Sequence, residues 1–172
     1  SVASFSPAHF EHTIIVHGFA KAWSMTGWRL GWCAAPEPIA KAIDAIQSHS
    51  TSNPTSFAQK GAVAALTGPQ DHLPLWLAEF AKRRTYAWQK LNSIPGLTCV
   101  NAKGAFYLFP NISRTGLKST EFCAKLLEQE KVAAVPGIAF GADDYIRLSY
   151  ATSLANIEKG LERIERFCRG LL

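Results

Sequence analysis

The sequence predicts an α/β fold in its first part and an α+β fold in its second part, and three observations support this. Of the 172 residues, 48% are hydrophobic and 18% are charged, which is typical of a globular protein with a buried core. Strand-length apolar runs alternate with helical patterns before Gly68, whereas the pattern switches to strands after Pro95. Gly68 and Pro69 interrupt the chain between these patterns. We therefore expect one domain over residues 1–68 and a second over 69–172.

The first part contains two predicted strands and two predicted helices. Short β-branched and apolar runs bounded by turn residues predict the strands, the first of them buried. Pro36 and Pro38 open the first helix, because proline is tolerated in a first helical turn. Ile39, Ile43 and Ile46 then share one face of that helix. The elements are strands at 13–17 and 30–35 and helices at 36–48 and 55–65, the second helix capped by Thr55 or Ser56.

The second part opens with a long amphipathic helix and then mixes strands with helices. Pro95 and Gly96 end the helical pattern, because proline and glycine punctuate the chain at turns. The elements are a helix at 71–91, strands at 97–101 and 105–109, a helix at 119–130, strands at 132–135 and 145–150, and a helix at 153–168.

The charge of the chain favours small anionic ligands over nucleic acid. Lys and Arg number 18 against 13 Asp and Glu, which gives a net charge of +5 and a pI near 9.1. The basic residues are mostly scattered, and the densest cluster, Lys82, Arg83 and Arg84, lies in the long helix. On an amphipathic helix such a cluster forms a solvated face. A mild positive balance of this kind suits small anions.

No sequence pattern predicts a metal site or a membrane span. The four cysteines lie in apolar runs without C-x-x-C spacing, so we expect reduced core residues. The five histidines form no metal-binding pattern. No apolar run approaches the roughly eighteen residues of a membrane span and the N-terminus lacks a signal region, so we expect a soluble, cytoplasmic protein. The cysteines are Cys33, Cys99, Cys123 and Cys168.

Lys21 and Arg29 are the candidate chemical residues of the first part. Lys21 follows a predicted strand, which places it at the carboxyl edge of a sheet, where open α/β proteins bind ligands. A desolvated lysine amine can form a Schiff base with an aldehyde, and an arginine fork can pair bidentately with a phosphate. The glycine turn between Lys21 and Arg29 allows both to serve one pyridoxal phosphate group. The alternative for each residue is an ordinary solvent-facing position.

The segment A-K-A-x-x-M-T-G-W-R-x-G at positions 20–31 resembles the Schiff-base lysine signature of fold type I pyridoxal phosphate enzymes, specifically class I aminotransferases. Four further segments resemble the bacterial aspartate aminotransferase group in the expected order, so the likeness covers essentially the whole chain. They are Q-S-H-S-T-S-N-P-T-S-F-A-Q at 47–59, G-A-F-Y-L-F-P at 104–110, P-G-x-A-F-G at 136–141 and Y-I-R-L-S-Y-A at 145–151. The resemblance implies that residues 1–68 end a large cofactor-binding domain with a mixed sheet in a three-layer α/β/α arrangement, and that 69–172 form a small C-terminal domain.

The resemblance also implies a function. The chain would be the C-terminal portion of an aminotransferase that moves an amino group between an amino acid, with aspartate expected, and a 2-oxo acid. Lys21 would be the catalytic lysine and, together with Arg29 at the phosphate, would bind pyridoxal 5'-phosphate. Arg147 would bind the substrate α-carboxylate, whereas the residues alone leave a surface salt bridge to Asp143 or Asp144 as the alternative. The full-length protein would be a homodimer with no nucleic-acid or membrane partner.

The chain departs from the family pattern in two respects. Ala20 stands where many relatives have serine before the lysine. The family's aspartate partner of the pyridine nitrogen lies farther upstream than the residues preceding Lys21, so we expect the 172-residue chain alone to be inactive. Substrate choice is also decided upstream, which leaves open an aromatic, methionine or kynurenine aminotransferase or a carbon-sulfur lyase. A non-catalytic domain derived from an enzyme is the further alternative.

Overall fold

The structure is a computed structural model that describes residues 1–172, and it combines helices with two small antiparallel sheets. The predicted mixture of helix and sheet is confirmed. The chain forms two compact units, unit 1 (Ser1–Leu73) and unit 2 (Pro74–Leu172). None of the helices is both long enough and apolar enough to span a membrane.

Unit 1 contains a two-stranded antiparallel sheet in which Gly18 pairs with Gly31. A short first helix was absent from the sequence prediction, although its signal is visible in retrospect. Pro7 stands at its first position, and the Ser6 side chain accepts a hydrogen bond from the His9 amide. The elements are α1 (Pro7–Glu11), β1 (Ile15–Gly18), β2 (Gly31–Ala34), α2 (Glu37–Ser50) and α3 (Ser56–Thr67), and α4 (His72–Ser93) begins at the end of the unit.

The burial predicted for the first strand is wrong. Val16 is 80% exposed, and every residue of β2 is exposed. A side chain on a two-stranded sheet is buried only where another element covers that face of the sheet, and Val16 is not covered. Inside unit 1, the buried cluster instead lies under the loop between the strands, where Phe19, Met25 and Ala62 meet.

Unit 2 contains a three-stranded antiparallel sheet in which Ile146–Ser149 is the central strand, between Tyr107–Leu108 and Val135–Pro136. Two of its predicted strands differ from the prediction. Residues 97–101 make only a single bridge, from Thr98 to Asn111, and the strand predicted at 132–135 pairs only from Val135 onward. The elements after α4 are β3 (Tyr107–Leu108), α5 (Ser119–Glu130), β4 (Val135–Pro136), β5 (Ile146–Ser149) and α6 (Leu154–Arg169).

The sheet of unit 2 has one face toward the core and one face away from it. Leu108 and Ile146 are almost completely buried, and Leu148 packs against the same cluster. Because strand side chains alternate, Tyr107 and Arg147 lie on the opposite face. Helices cover the core face, and α6 contributes an apolar stripe with helical spacing. The stripe consists of Ile157, Leu161, Ile164 and Phe167.

Three of the four cysteines are buried and all four are free, so the expectation holds for Cys99, Cys123 and Cys168. Cys33 is exposed, which contradicts its predicted core position, because it lies on the uncovered strand β2. The basic cluster of α4 is also only partly solvated. Lys82 is exposed, whereas Arg83 donates a 2.8 Å hydrogen bond to Glu79.

Candidate functional site

Lys21 and Arg29 lie in one loop, residues 19–30, which connects β1 to β2 in unit 1. The Phe19 amide donates to the Leu30 carbonyl at 3.3 Å, which closes the loop at its base. The Met25 amide donates to the Phe19 carbonyl at 3.4 Å, and both of these side chains are buried. The buried side chains of Phe19 and Met25 therefore anchor the loop, while Lys21 and Arg29 are exposed.

Thr26 connects the two candidate residues. Its hydroxyl donates a 2.9 Å hydrogen bond to the carbonyl of Ala20, the residue before Lys21. Its own carbonyl accepts a 3.1 Å hydrogen bond from Nη1 of Arg29. Arg29 has a φ of +54°, a left-handed backbone that costs about 1 kcal/mol or more for a residue with a Cβ. The hydrogen bond to Thr26 helps to hold that conformation.

Trp28 packs the loop onto helix α3. Its indole lies against the backbone of Gly61, where an added Cβ would be 2.5 Å from Cζ3 of the ring. The ring of Phe57 meets the indole edge-to-face at 6.3 Å. A side chain at position 61 would force the indole to move, so glycine permits this packing of the loop against α3.

The loop borders a cavity of about 290 Å³ whose chemistry fits a phosphate group. Ala20, Thr26, Arg29, Leu30 and Gly31 line it, and Arg29 is the charged residue among them. The Arg29 hydrogen bond to Thr26 uses one of the five N–H donors of a guanidinium, so donors are left for an anion. The exposed amine of Lys21 in the same loop adds a second positive charge. This donor set fits pyridoxal phosphate.

Arg147 lies in unit 2, on strand β5. Its guanidinium carbon is 4.3 Å from the ring centroid of Tyr107 and 4.7 Å from that of Phe140. Its side chain is half-buried. A cavity of about 150 Å³ borders Arg147, Tyr107 and Val135. The geometry gives a rigidly placed cation at an open surface.

The salt bridge considered as an alternative for Arg147 does not form. Lys118 binds the Asp144 carboxylate at 2.7 Å, and the Ser119 hydroxyl donates to Asp143 at 2.6 Å. Both carboxylates are therefore engaged by other residues, and Arg147 has no acidic partner within the chain.

Sequence reasoning did not assign roles to the residues that hold these three side chains. Thr26 and Trp28 stand inside the motif at 20–31, but their contacts depend on how the loop folds. Gly61 carried a detectable signal, because a glycine within a helical pattern often marks a close approach. Tyr107 and Phe140 stand in two of the family-like segments. The pairing of β3 with β5 brings Tyr107 to Arg147, and the short helical turn after β4 brings Phe140 to it.

The family model for aminotransferase class I and II matches residues 3–164. The chain belongs to this family. The aspartate aminotransferase of Geobacillus stearothermophilus is 50% identical over 172 residues, which cover 97% of this chain and 44% of that protein.

Solved aminotransferase structures agree with the fold. The aspartate aminotransferase of Rhizobium meliloti matches 95% of the chain with a TM-score of 0.89 and 41% identity. The aromatic aminotransferase of Pyrococcus horikoshii matches all of it with a TM-score of 0.93 and 41% identity. The chain spans 44% and 47% of these two aminotransferase chains, respectively.

Proposed function

We propose that this chain is the C-terminal part of a pyridoxal phosphate-dependent aminotransferase that moves an amino group between aspartate and a 2-oxo acid. The loop at 19–30 carries the proposal, because one short segment holds an arginine at a polar cavity and an exposed lysine. The 50% identity to a bacterial aspartate aminotransferase supports aspartate as the amino donor.

Arg29 and Lys21 would hold the cofactor. The Arg29 fork would pair with the phosphate, since a guanidinium offers parallel N–H donors at the spacing of two phosphate oxygens. The Nζ of Lys21 would hold the cofactor covalently at its aldehyde. When bound, pyridoxal phosphate supplies an electron-withdrawing ring that stabilises negative charge at the substrate α-carbon.

Lys21 would also move the proton. Once the substrate amine has displaced Nζ, the free amine of Lys21 can remove the proton from the substrate α-carbon and later return a proton. Thr26 would support this role through its hydrogen bond to Ala20, which limits the backbone freedom next to Lys21. Arg147 would pair with the substrate α-carboxylate, and its lack of an acidic partner supports this role.

An aromatic aminotransferase is the second candidate, because the Pyrococcus horikoshii aromatic enzyme matches the whole chain with a TM-score of 0.93. A panel of amino donors with the full-length protein separates the two candidates. We expect aspartate with 2-oxoglutarate to give the highest kcat/KM. Turnover with phenylalanine or tyrosine but none with aspartate would favour the aromatic aminotransferase. No turnover with any donor would favour a non-catalytic domain derived from an enzyme.

The remaining expectations are proposals of the same kind. We place the end of the large domain at residues 1–68 and the small domain at 69–172, and we propose a cytoplasmic homodimer. The exposed loop Ser52-Asn53-Pro54-Thr55 supports a dimer, since it resembles the segment that in dimeric relatives approaches the neighbouring subunit's site. Sedimentation equilibrium of the full-length protein tests the dimer.

A further inference from the structure

We propose that Tyr107 and Phe140 are positioning residues that hold the Arg147 guanidinium between their rings and keep its charge available to the substrate carboxylate. This inference rests on the carboxylate-binding role proposed for Arg147. It concerns how the arginine is held and not whether it binds.

The two rings reach Arg147 from elements on opposite sides of its strand. Tyr107 lies on β3, which pairs with one edge of β5, and its ring centroid is 4.3 Å from the guanidinium carbon. Phe140 follows β4, which pairs with the other edge, and its centroid is 4.7 Å away. Both distances lie within the ~6 Å range of a cation–π contact.

Phe140 is held in place by its own neighbours. Its ring meets Phe109 edge-to-face at 5.9 Å, and Phe109 stacks on Tyr145 at 5.1 Å with an interplanar angle of 8°. The short helical turn Gly137–Phe140 is also fixed at its start. Gly137 packs so closely that an added Cβ would lie 2.2 Å from the Ala142 carbonyl oxygen.

Tyr107 is held through the backbone before it. The buried Tyr150 donates its hydroxyl proton to the Ala105 carbonyl at 2.9 Å, and its amide donates to the Phe106 carbonyl at 2.9 Å. Ala105 has a φ of +57°, so these bonds stabilise a turn that is otherwise unfavourable for alanine. This turn places the ring of Tyr107 next to the guanidinium of Arg147.

The choice of aromatic rings has a chemical consequence. A carboxylate beside Arg147 would orient the guanidinium but would also neutralise it and compete with the substrate for its N–H donors. A ring attracts the cation through its face and accepts none of the strong in-plane hydrogen bonds. The two nearby carboxylates, Asp143 and Asp144, are engaged by Ser119 and Lys118. The structure thus orients Arg147 and leaves its N–H donors available to an anion.

The test uses the full-length enzyme and two measurements. One is the Kd of maleate, a dicarboxylate without an amino group that binds without reacting, and the other is kcat and KM for aspartate. We expect Phe140→Leu and Tyr107→Leu each to raise the Kd of maleate and the KM for aspartate about two- to thirty-fold. This is the range expected from losing a partly desolvated cation–π contact. We expect kcat to change far less, because the proton transfer by Lys21 is untouched.

Ring-keeping variants and a matched control make the result specific. Phe140→Tyr and Tyr107→Phe retain a ring beside Arg147 and should keep the original Kd of maleate and KM for aspartate. Phe5→Leu removes an exposed ring of unit 1 that lies 5.6 Å from the His9 ring, outside all of these contacts, and it should also leave the two constants unchanged.

The outcomes distinguish the positioning role from the binding role. If Arg147→Ala raises the aspartate KM but the two leucine variants do not, the positioning role is wrong and the proposed binding role stands. If Phe5→Leu raises the Kd of maleate and the KM for aspartate as much as Phe140→Leu does, the effect is a general loss of order and the positioning role is also wrong. If Arg147→Ala itself leaves maleate binding unchanged, the binding role fails and the positioning role falls with it.

Discussion

Gly61 and Trp28 are in such close contact that a methyl group on Gly61 would lie 2.5 Å from Cζ3 of the indole. In Gly61→Ala the indole must move, and the loop that carries Arg29 loses its present packing against α3. We expect cofactor affinity to fall about tenfold or more, since a hydrogen bond to a charged group contributes roughly 1.5–3 kcal/mol. Equilibrium dialysis of pyridoxal phosphate against the full-length protein measures this change.

Gly160→Ala is the matched control for that experiment. Gly160 also lies inside a helix, α6, and an added Cβ there would meet nothing within 4 Å. Alanine should therefore stabilise the helix by up to about 1 kcal/mol and leave cofactor binding unchanged. Equal affinities for Gly61→Ala and Gly160→Ala would contradict the role assigned to the Trp28 contact.

The hydroxyl of Thr26 provides a second prediction. Thr26→Val keeps the shape of the side chain but removes the 2.9 Å hydrogen bond to Ala20, so Lys21 gains backbone freedom. We expect kcat to fall about tenfold, because loss of positioning at a reacting group is costly. Thr26→Ser keeps the donor and should retain most of the activity. A low rate in both variants would indicate that the methyl group, and not the hydrogen bond, is needed.

The buried thiol of Cys168 should make the folded protein less stable in alkaline solution. Burial raises the pKa of its thiol from 9.0 to about 12 and that of Cys123 to about 11. A raised folded-state pKa gives stability that is complete below the unfolded value near 9 and is lost as pH rises toward 12. Urea midpoints between pH 8 and 10.5 should fall less in Cys168→Ala than in the original protein. Cys33→Ala is the control and should show the original dependence.

The ion pairs of Glu165 should make the folded protein less stable as the solution becomes acidic. Lys90 on α4 donates a 2.5 Å hydrogen bond to Glu165 on α6, and Arg169 binds it at 2.7 Å. These bonds, the Lys90 bond first, lower the pKa of Glu165 below its usual 4.5. The stability they contribute is therefore present above pH 4.5 and is lost as pH falls through the lowered value.

The measurement compares urea midpoints of the original protein and Glu165→Gln. The difference should be clear at pH 7 and should shrink as pH falls below 4.5, because Glu165 then gains a proton and comes to resemble glutamine. Glu37→Gln breaks an exposed pair with Lys41 on α2 and should have little effect at either pH. A difference that stays constant with pH would show that Glu165 acts through packing alone.

The helices were more predictable from the sequence than the strands. Helix α5 begins and ends where the pattern places it, at Ser119 and Glu130, because the helical spacing of apolar residues is a local signal. A strand requires a partner elsewhere in the chain. Residues 97–101 have strand propensity but find only Asn111, through one bridge from Thr98, and so form no ladder.

The charged residues of the candidate site can be proposed from the sequence, whereas the residues that hold them cannot. Lys21, Arg29 and Arg147 follow from motifs of consecutive residues. Thr26 to Ala20 and Trp28 to Gly61 are contacts that depend on the folded loop. Burial of the first strand could not be judged from its β-branched residues alone, because burial depends on which elements cover a sheet.

The most direct test of the account is to locate the covalent attachment of the cofactor. Borohydride treatment of the full-length protein loaded with pyridoxal phosphate reduces the bond between the cofactor aldehyde and a lysine amine and makes it permanent. Peptide mass spectrometry should then find the phosphopyridoxyl group on Lys21 and lose it in Lys21→Ala. Attachment at another lysine, or equal labelling of Lys21→Ala, would contradict the assignment of this loop as the cofactor site.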